Sequence, residues 1–229
     1  MHVVFLPFRP VAFRRLLVSI GAVLLLAGAG VCAARAEAAP IDPALGAPLT
    51  VRTRPTLGSE TADIVVIEVR SFKCAHCRSF HERVFPTLKE KFIATGVIRW
   101  VRIDGTPDKS DANSGVFAVA RCATHQKNYD ILESFLFRNG ARPSSFLYGQ
   151  AENLPGIDAN ALASCIRSGD SLPDVRADFA DVAALKVTVL PTFILRKRRP
   201  NGEFLEARIE GYPQADYFER TLAQLRNQP

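Results

Sequence analysis

The 229-residue chain is sparing with the residues that carry unusual chemistry: one methionine, one tryptophan, four histidines and five cysteines. A single CxxC, Cys74 to Cys77, stands without a second CxxC or a histidine pair, so a closed four-ligand zinc site lacks its other half. Glycine and proline, at 14 and 15 residues, are no commoner than in ordinary globular chains, which excludes collagen-like and low-complexity classes. There is no internal repeat. Acids are missing from positions 1–36, where Arg9, Arg14, Arg15 and Arg35 stand alone. Those four supply most of the net charge of +6; the remainder holds 25 basic against 23 acidic residues, or +2. Such a balance makes no clustered basic face for a phosphate backbone, and nucleic acid is excluded as a partner. What is present, 48% hydrophobic and 23% charged residues, suffices for one sizeable core or two small ones.

Residues 16–34 carry no charge, follow Arg14 and Arg15, and have an apolar heart from Leu16 to Leu26. They read as the h-region of a secretory signal within residues 1–36, with cleavage expected after Ala36 or Ala38, where small residues alternate. The competing reading is a retained inner-membrane anchor, because 19 uncharged residues approach the span of a bilayer. Lipidation at Cys32 is disfavoured by Val31, which stands where that signal wants a small residue. On either reading the body is exported. Setting Cys32 aside leaves Cys74, Cys77, Cys122 and Cys165, an even number that in an exported chain suggests two bridges. Three pairings exist; the closeness of Cys74 to Cys77 favours the one that leaves Cys122 with Cys165, against the alternative of two buried free thiols.

Along the body, residues 37–60 form an extended lead-in with an edge-strand pattern at Leu49, Val51 and Thr53. Residues 64–69, I-V-V-I-E-V, are the β-branched run of a central strand covered on both faces. Helical spacing follows over 74–92, with a kink expected at Pro86. A second strand at 97–103 then predicts a parallel crossover unit over 61–109. From 110 to 186 the pattern is helical, at 116–122, 129–137, 159–167 and 174–186. Asp158, Gly169 and Ser171 with Pro173 supply end signals. Strands return at 192–197 and 204–209 around Asn201-Gly202, a hairpin signal, and an amphipathic helix at 214–226 closes residues 187–229. The fold class is therefore α/β with a helical insertion.

The chemistry concentrates where strand 64–69 gives way to a helix at Cys74-Ala75-His76-Cys77. A thiol at a helix start meets unpaired backbone N–H groups and the positive end of the helix dipole, which stabilise a thiolate. His76, when protonated, adds charge beside it, and both effects lower the thiol pKa. A stabilised thiolate makes the disulfide easy to reduce and ready to pass on. Cys74 reads as the attacked sulfur and Cys77 as the buried resolving thiol. His81, four residues beyond Cys77, is in reach of a metal with the two cysteines, but no fourth ligand is available; no metal or cofactor is expected, and His81 reads as a surface or satisfied helix residue. Arg196 to Arg199 reads as a solvated hairpin tip.

These residues resemble the DsbA-type periplasmic thiol oxidoreductases of the thioredoxin superfamily. The resemblance rests on Leu57-Gly58 with Ala62 before the strand, on Phe72 to Cys77, on Val189-Leu190-Pro191-Thr192-Phe193, and on Glu210-Gly211-Tyr212, and it covers about residues 57–225. It implies a thioredoxin fold with an inserted helical domain, a cis proline at Pro191 facing the active pair, and a buried acid, Glu68, that moves protons to and from Cys77. An acid inside an apolar strand agrees with that role; the alternative is that Glu68 points to solvent at a strand edge. Leu190 and Phe72 are expected beside the substrate, and Cys122–Cys165 as a structural bridge. The implied partners are reduced or unfolded proteins and a membrane partner that re-oxidises the pair, with the chain as a monomer. Three departures stand out. Ala75 replaces a common proline, Leu190 stands where valine or threonine is usual, and Val189 stands where many relatives carry glycine. Because Ala75 and Leu190 line the thiol, potential and direction, oxidase against reductase or isomerase, stay open, with a thiol-based metal carrier as the different-class alternative.

Overall fold

The computed structural model describes residues 54–228; the expected signal segment and the edge-strand pattern at Leu49 to Thr53 lie outside them. Strand β2 (Ile64–Arg70) is buried along its whole length. It pairs in parallel with β3 (Ile98–Asp104) and antiparallel with β4 (Thr192–Arg198). With β1 (Thr56–Gly58) on β3 and β5 (Phe204–Glu210) on β4, the sheet order is β1-β3-β2-β4-β5. The edge strand thus forms at 56–58. Gly58 has φ +87°, and a Cβ there would stand 2.3 Å from the Ile98 carbonyl oxygen, so only glycine fits this close approach to β3.

Because side chains alternate along a strand, β2 feeds two cores. Ile64 and Val66 join Trp100, Phe193, Phe218 and Leu222 on one face; Val65, Ile67 and Val69 join Val101, Ile103, Val182 and Leu185 on the other. Each large apolar side chain so buried contributes about 1.5–3 kcal/mol. The first face is covered by α1 (Ala75–Arg83) and α8 (Ala215–Asn227), the second by α7 (Leu172–Ala184).

The expected single helix over 74–92 is instead broken at Val84. There α1 ends, α2 (Phe85–Leu88) begins, and Lys89–Ile93 follows as a wider π-type turn. Pro86 therefore opens a helix instead of kinking one, in the first turn, where its missing N–H costs nothing.

Between β3 and β4 run a 3-10 turn (Lys109–Asn113) and α3 (Gly115–Cys122), α4 (Tyr129–Asn139), α5 (Ser144–Ala151), α6 (Ala159–Ser168) and α7. They enclose a third core that includes Phe117, Leu132, Leu136, Leu147, Leu162 and Val175. Helix α5 goes unread in the sequence because its short SSFLYGQA segment shows no apolar stripe. Asp158 caps α6 by accepting from the Ala161 N–H at 3.0 Å, and Gly169 closes it with φ +73°. Ser171 does not cap α7 with its side chain, contrary to expectation.

Candidate functional site

Strand β2 ends at Arg70, and four residues later Cys74 occupies the N-cap of α1 with extended backbone, φ −91° and ψ 118°. Its sulfur accepts from the Cys77 N–H at 3.4 Å, and the Leu190 carbonyl oxygen lies 3.8 Å away. The Leu190–Pro191 bond is cis, with Leu190 half-buried beside the cysteine and Val189 exposed. The two sulfurs sit in unlike surroundings: Cys74 is half-buried, Cys77 fully enclosed. A hydrogen bond from the Cys77 thiol, outweighing partial burial and joined by the N–H groups of Cys77 and His76 and the charge of His76, holds Cys74 down at about 6. Burial first, then the neighbouring Cys74, pushes the Cys77 thiol far above its ordinary value. Near neutral pH one sulfur is therefore an accessible thiolate and the other a protected thiol. His76 itself is exposed.

Glu68 occupies the same alternation as Ile64 and Val66, so its carboxyl points into the face covered by α1 and is fully buried. The reading that places it in solvent at an edge is thereby corrected: β2 is the central strand. Its Oε1 meets the His81 Nε2 at 2.7 Å, its Oε2 accepts from the Trp100 indole at 2.9 Å, and the Arg70 guanidinium stands 3.8 Å away. Burial alone would push this carboxyl up; His81 and then Arg70 outweigh it and leave it below the usual range. His81 is not a surface residue either, its side chain being 6% exposed and its ring stacked 4.5 Å from Phe137. Its Nε2 is directed at Glu68. Among the described residues no group of three or more histidine, cysteine or acidic side chains is disposed to hold a metal.

Around this pair lies a buried charge network that sequence reasoning missed. Arg70 reaches Asp104 at 2.8 Å and Glu133 at 2.7 Å, and Arg102 also bonds to Glu133. A signal existed, since Arg70, Arg102 and Asp104 are charged residues in strands that are otherwise mostly apolar. Their partner Glu133, on a helix 29 residues beyond Asp104, was not visible by spacing.

Phe72 is 2% exposed and packs on Phe137 at 4.9 Å, forming a groove wall without presenting a free face. Cys122 and Cys165 are bridged, joining α3 to α6 across 43 residues of sequence. In the 196–199 run, Arg196 is buried and pairs with Glu206 at 2.8 Å, correcting the solvated-tip reading at that position; Arg198 is exposed.

The arrangement, a five-stranded sheet flanked by helices and carrying a helix-capping CxxC beside a cis proline, defines a class that comparison with known proteins makes specific. A family model described as Thioredoxin matches residues 50–209. The chain belongs to that thioredoxin family. A protein of Bacillus cereus, provisionally named disulfide bond formation protein D, is 26% identical over 162 residues, covering 66% of this chain and 74% of the relative. A Rickettsia conorii protein, provisionally named a protein-disulfide oxidoreductase, is 30% identical over 80 residues, which is 35% of this chain and only 28% of that protein. Among solved structures, alpha-DsbA1 of Wolbachia pipientis superposes with a TM-score of 0.64 at 23% identity, covering 78% of this chain and 93% of that one. Oxidised BdbD of Bacillus subtilis gives 0.61 at 16%, covering 79% and 96%. The fold is the DsbA-type thioredoxin fold, with helices inserted between β3 and β4.

Proposed function

We propose that the chain is a thiol:disulfide oxidoreductase that passes a Cys74–Cys77 disulfide to reduced proteins folding outside the cytoplasm. The observation that carries this reading is the inequality of the two sulfurs: Cys74 is accessible and held at about 6, Cys77 enclosed and held protonated. A client thiolate attacks Cys74, the Cys74–Cys77 bond breaks, and Cys77 departs and takes up a proton. A second client thiolate then attacks the client sulfur of the mixed disulfide, forming the client's disulfide and releasing Cys74 as its thiolate. Two electrons pass from client to protein, and the low pKa of Cys74 favours that direction because it makes Cys74 a good leaving group.

Glu68, with His81 behind it, is the group proposed to exchange the proton with Cys77, since its charge already bears on that thiol. Relatives named for disulfide bond formation support the oxidising direction. Export rests on the amino-terminal segment; among the described residues no helix is long and apolar enough to cross a membrane. A membrane partner that re-oxidises the pair, and action as a monomer, complete the proposal. Reductase or isomerase action is the second reading, favoured by Ala75 in place of proline.

Mixing the oxidised protein with a reduced, unfolded two-disulfide test protein decides between them. Oxidase action predicts stoichiometric thiol loss from the client, abolished in Cys74→Ser and in Cys77→Ser, neither of which can form the disulfide that is passed on. Absence of transfer from the wild type would reject the proposal, and transfer only in the reverse direction would select the reductase reading.

A further inference from the structure

Beside Cys74 lies an open groove of about 120 Å³, walled by Phe72 and Phe137 and floored by Gly140 at the end of α4. Three cations border it: Lys73, Arg78 and Arg138, all exposed, and no acid lines it. Lys73 is bonded to Asp111, whereas Arg78 and Arg138 make no ion pair with a described residue. The nearby acids, Glu82, Asp130 and Glu133, gather in the adjoining cleft with His81, which Arg138 also borders. Leu190, whose carbonyl oxygen lies 3.8 Å from the Cys74 sulfur, does not line this groove; it is half-buried and its apolar neighbour Val189 is exposed. An extended polypeptide crossing the sulfur thus meets apolar Leu190 and Val189 apart from the groove that the Arg78 and Arg138 guanidinium groups border.

From this asymmetry, and resting on the oxidoreductase reading above, we propose that the groove selects client segments by the charge beside their cysteine. The favoured client carries an aspartate or glutamate within about two residues of the reacting cysteine on the α4 side, and an apolar residue on the side of Leu190. The chemistry is the exchange already described: the client sulfur bonds to Cys74 while the Cys74–Cys77 bond breaks and Cys77 takes the proton. The groove's contribution is to hold the client carboxylate against Arg78 and Arg138 as that sulfur approaches. Exposed pairs each contribute a few-fold, and a cationic rim also speeds the encounter of an anionic chain.

The test uses the oxidised full chain and three matched single-cysteine peptides with aspartate, serine or lysine beside the cysteine. An acidic neighbour lowers a thiol's own reactivity, so each rate is divided by that peptide's rate with the uncharged disulfide of 2-mercaptoethanol. The expected result at low salt is a normalised rate about tenfold higher for the aspartate than for the lysine peptide, collapsing to within about twofold at high salt as charges are screened. In the R78E/R138E variant the order of these two peptides inverts. Equal normalised rates for wild type at low salt, or an aspartate preference insensitive to salt, overturn the proposal. So does a preference that survives in a folded R78E/R138E protein. Should that variant not fold, the wild-type salt series decides by itself. Failure of all three peptides to react would instead sink the oxidoreductase reading, so the two failures are told apart.

Discussion

Cys74 is an N-cap before it is a nucleophile. At that position an oxygen-bearing side chain ordinarily accepts from the helix's first N–H groups; here a sulfur does, and the acceptor gains by ionising. The measurable consequence is that alkylation of Cys74 in the reduced protein rises with pH with a midpoint near 6. A midpoint above 8 would remove the basis of the proposed direction. Linkage gives a second sign. The folded-state pKa lies below the unfolded value of about 8.5, so the resulting stability is present above that value and is lost as pH falls through about 6. The oxidised protein has no such group, so the reduced form gains thermal stability relative to the oxidised form as pH rises from about 6 to about 8.5. Glu68 belongs to the same scale. Glu68→Gln keeps the shape and the acceptor for Trp100 but removes the charge facing Cys77, His81 and Arg70. Turnover of the oxidised protein with clients should fall about tenfold or more by loss of a positioned proton carrier; unchanged stopped-flow kinetics would reject the shuttle.

At the scale of elements, the site depends on how closely the end of α4 approaches the loop after β2. Gly140 has no Cβ to spare: one built there stands 2.4 Å from the Phe72 carbonyl oxygen and 2.9 Å from that of Leu136. Gly140→Ala must therefore push α4 away from the segment bearing Cys74. A loss of about 1–3 kcal/mol in urea unfolding is expected, as for other overpacked positions, together with slower exchange. Stability within about 0.3 kcal/mol of wild type would show that the two segments yield more easily than their contact implies.

For the whole molecule, three cores meet around one charge network, and Cys77 belongs to the helical core while α1, which carries it, also packs on the sheet. The helical layer has its own tie, the Cys122–Cys165 bridge. Closing 43 residues is worth about 4 kcal/mol in the chain-entropy account. The double variant Cys122→Ala/Cys165→Ala should lose a stability of that order in chemical unfolding while retaining the Cys74 alkylation midpoint. A loss below about 1 kcal/mol would show that the bridge constrains little.

Much of this was legible along the chain because it is written in short-range pattern. The β-branched run of 64–69 announced a central strand, the CxxC after it announced a helix-capping thiol, and Asn201-Gly202 announced the β4–β5 turn. Each is a property of a few consecutive residues whose backbone preference or spacing suffices. His81 shows the limit. Its helical spacing was compatible with a surface, a metal or a core position, and only the packing of α1 between β2 and α4 brings it against Glu68 and Phe137. The same holds for Arg70, Arg102 and Glu133, and for Arg78 and Arg138, which come from different helices to border one groove. Local pattern determined which segments would be strands and helices and which sulfur would sit at a helix start. Tertiary structure alone decided which charges would be buried together and which left exposed beside Cys74, because electrostatic partnership depends on distance in space and burial, neither of which is a function of separation along the chain.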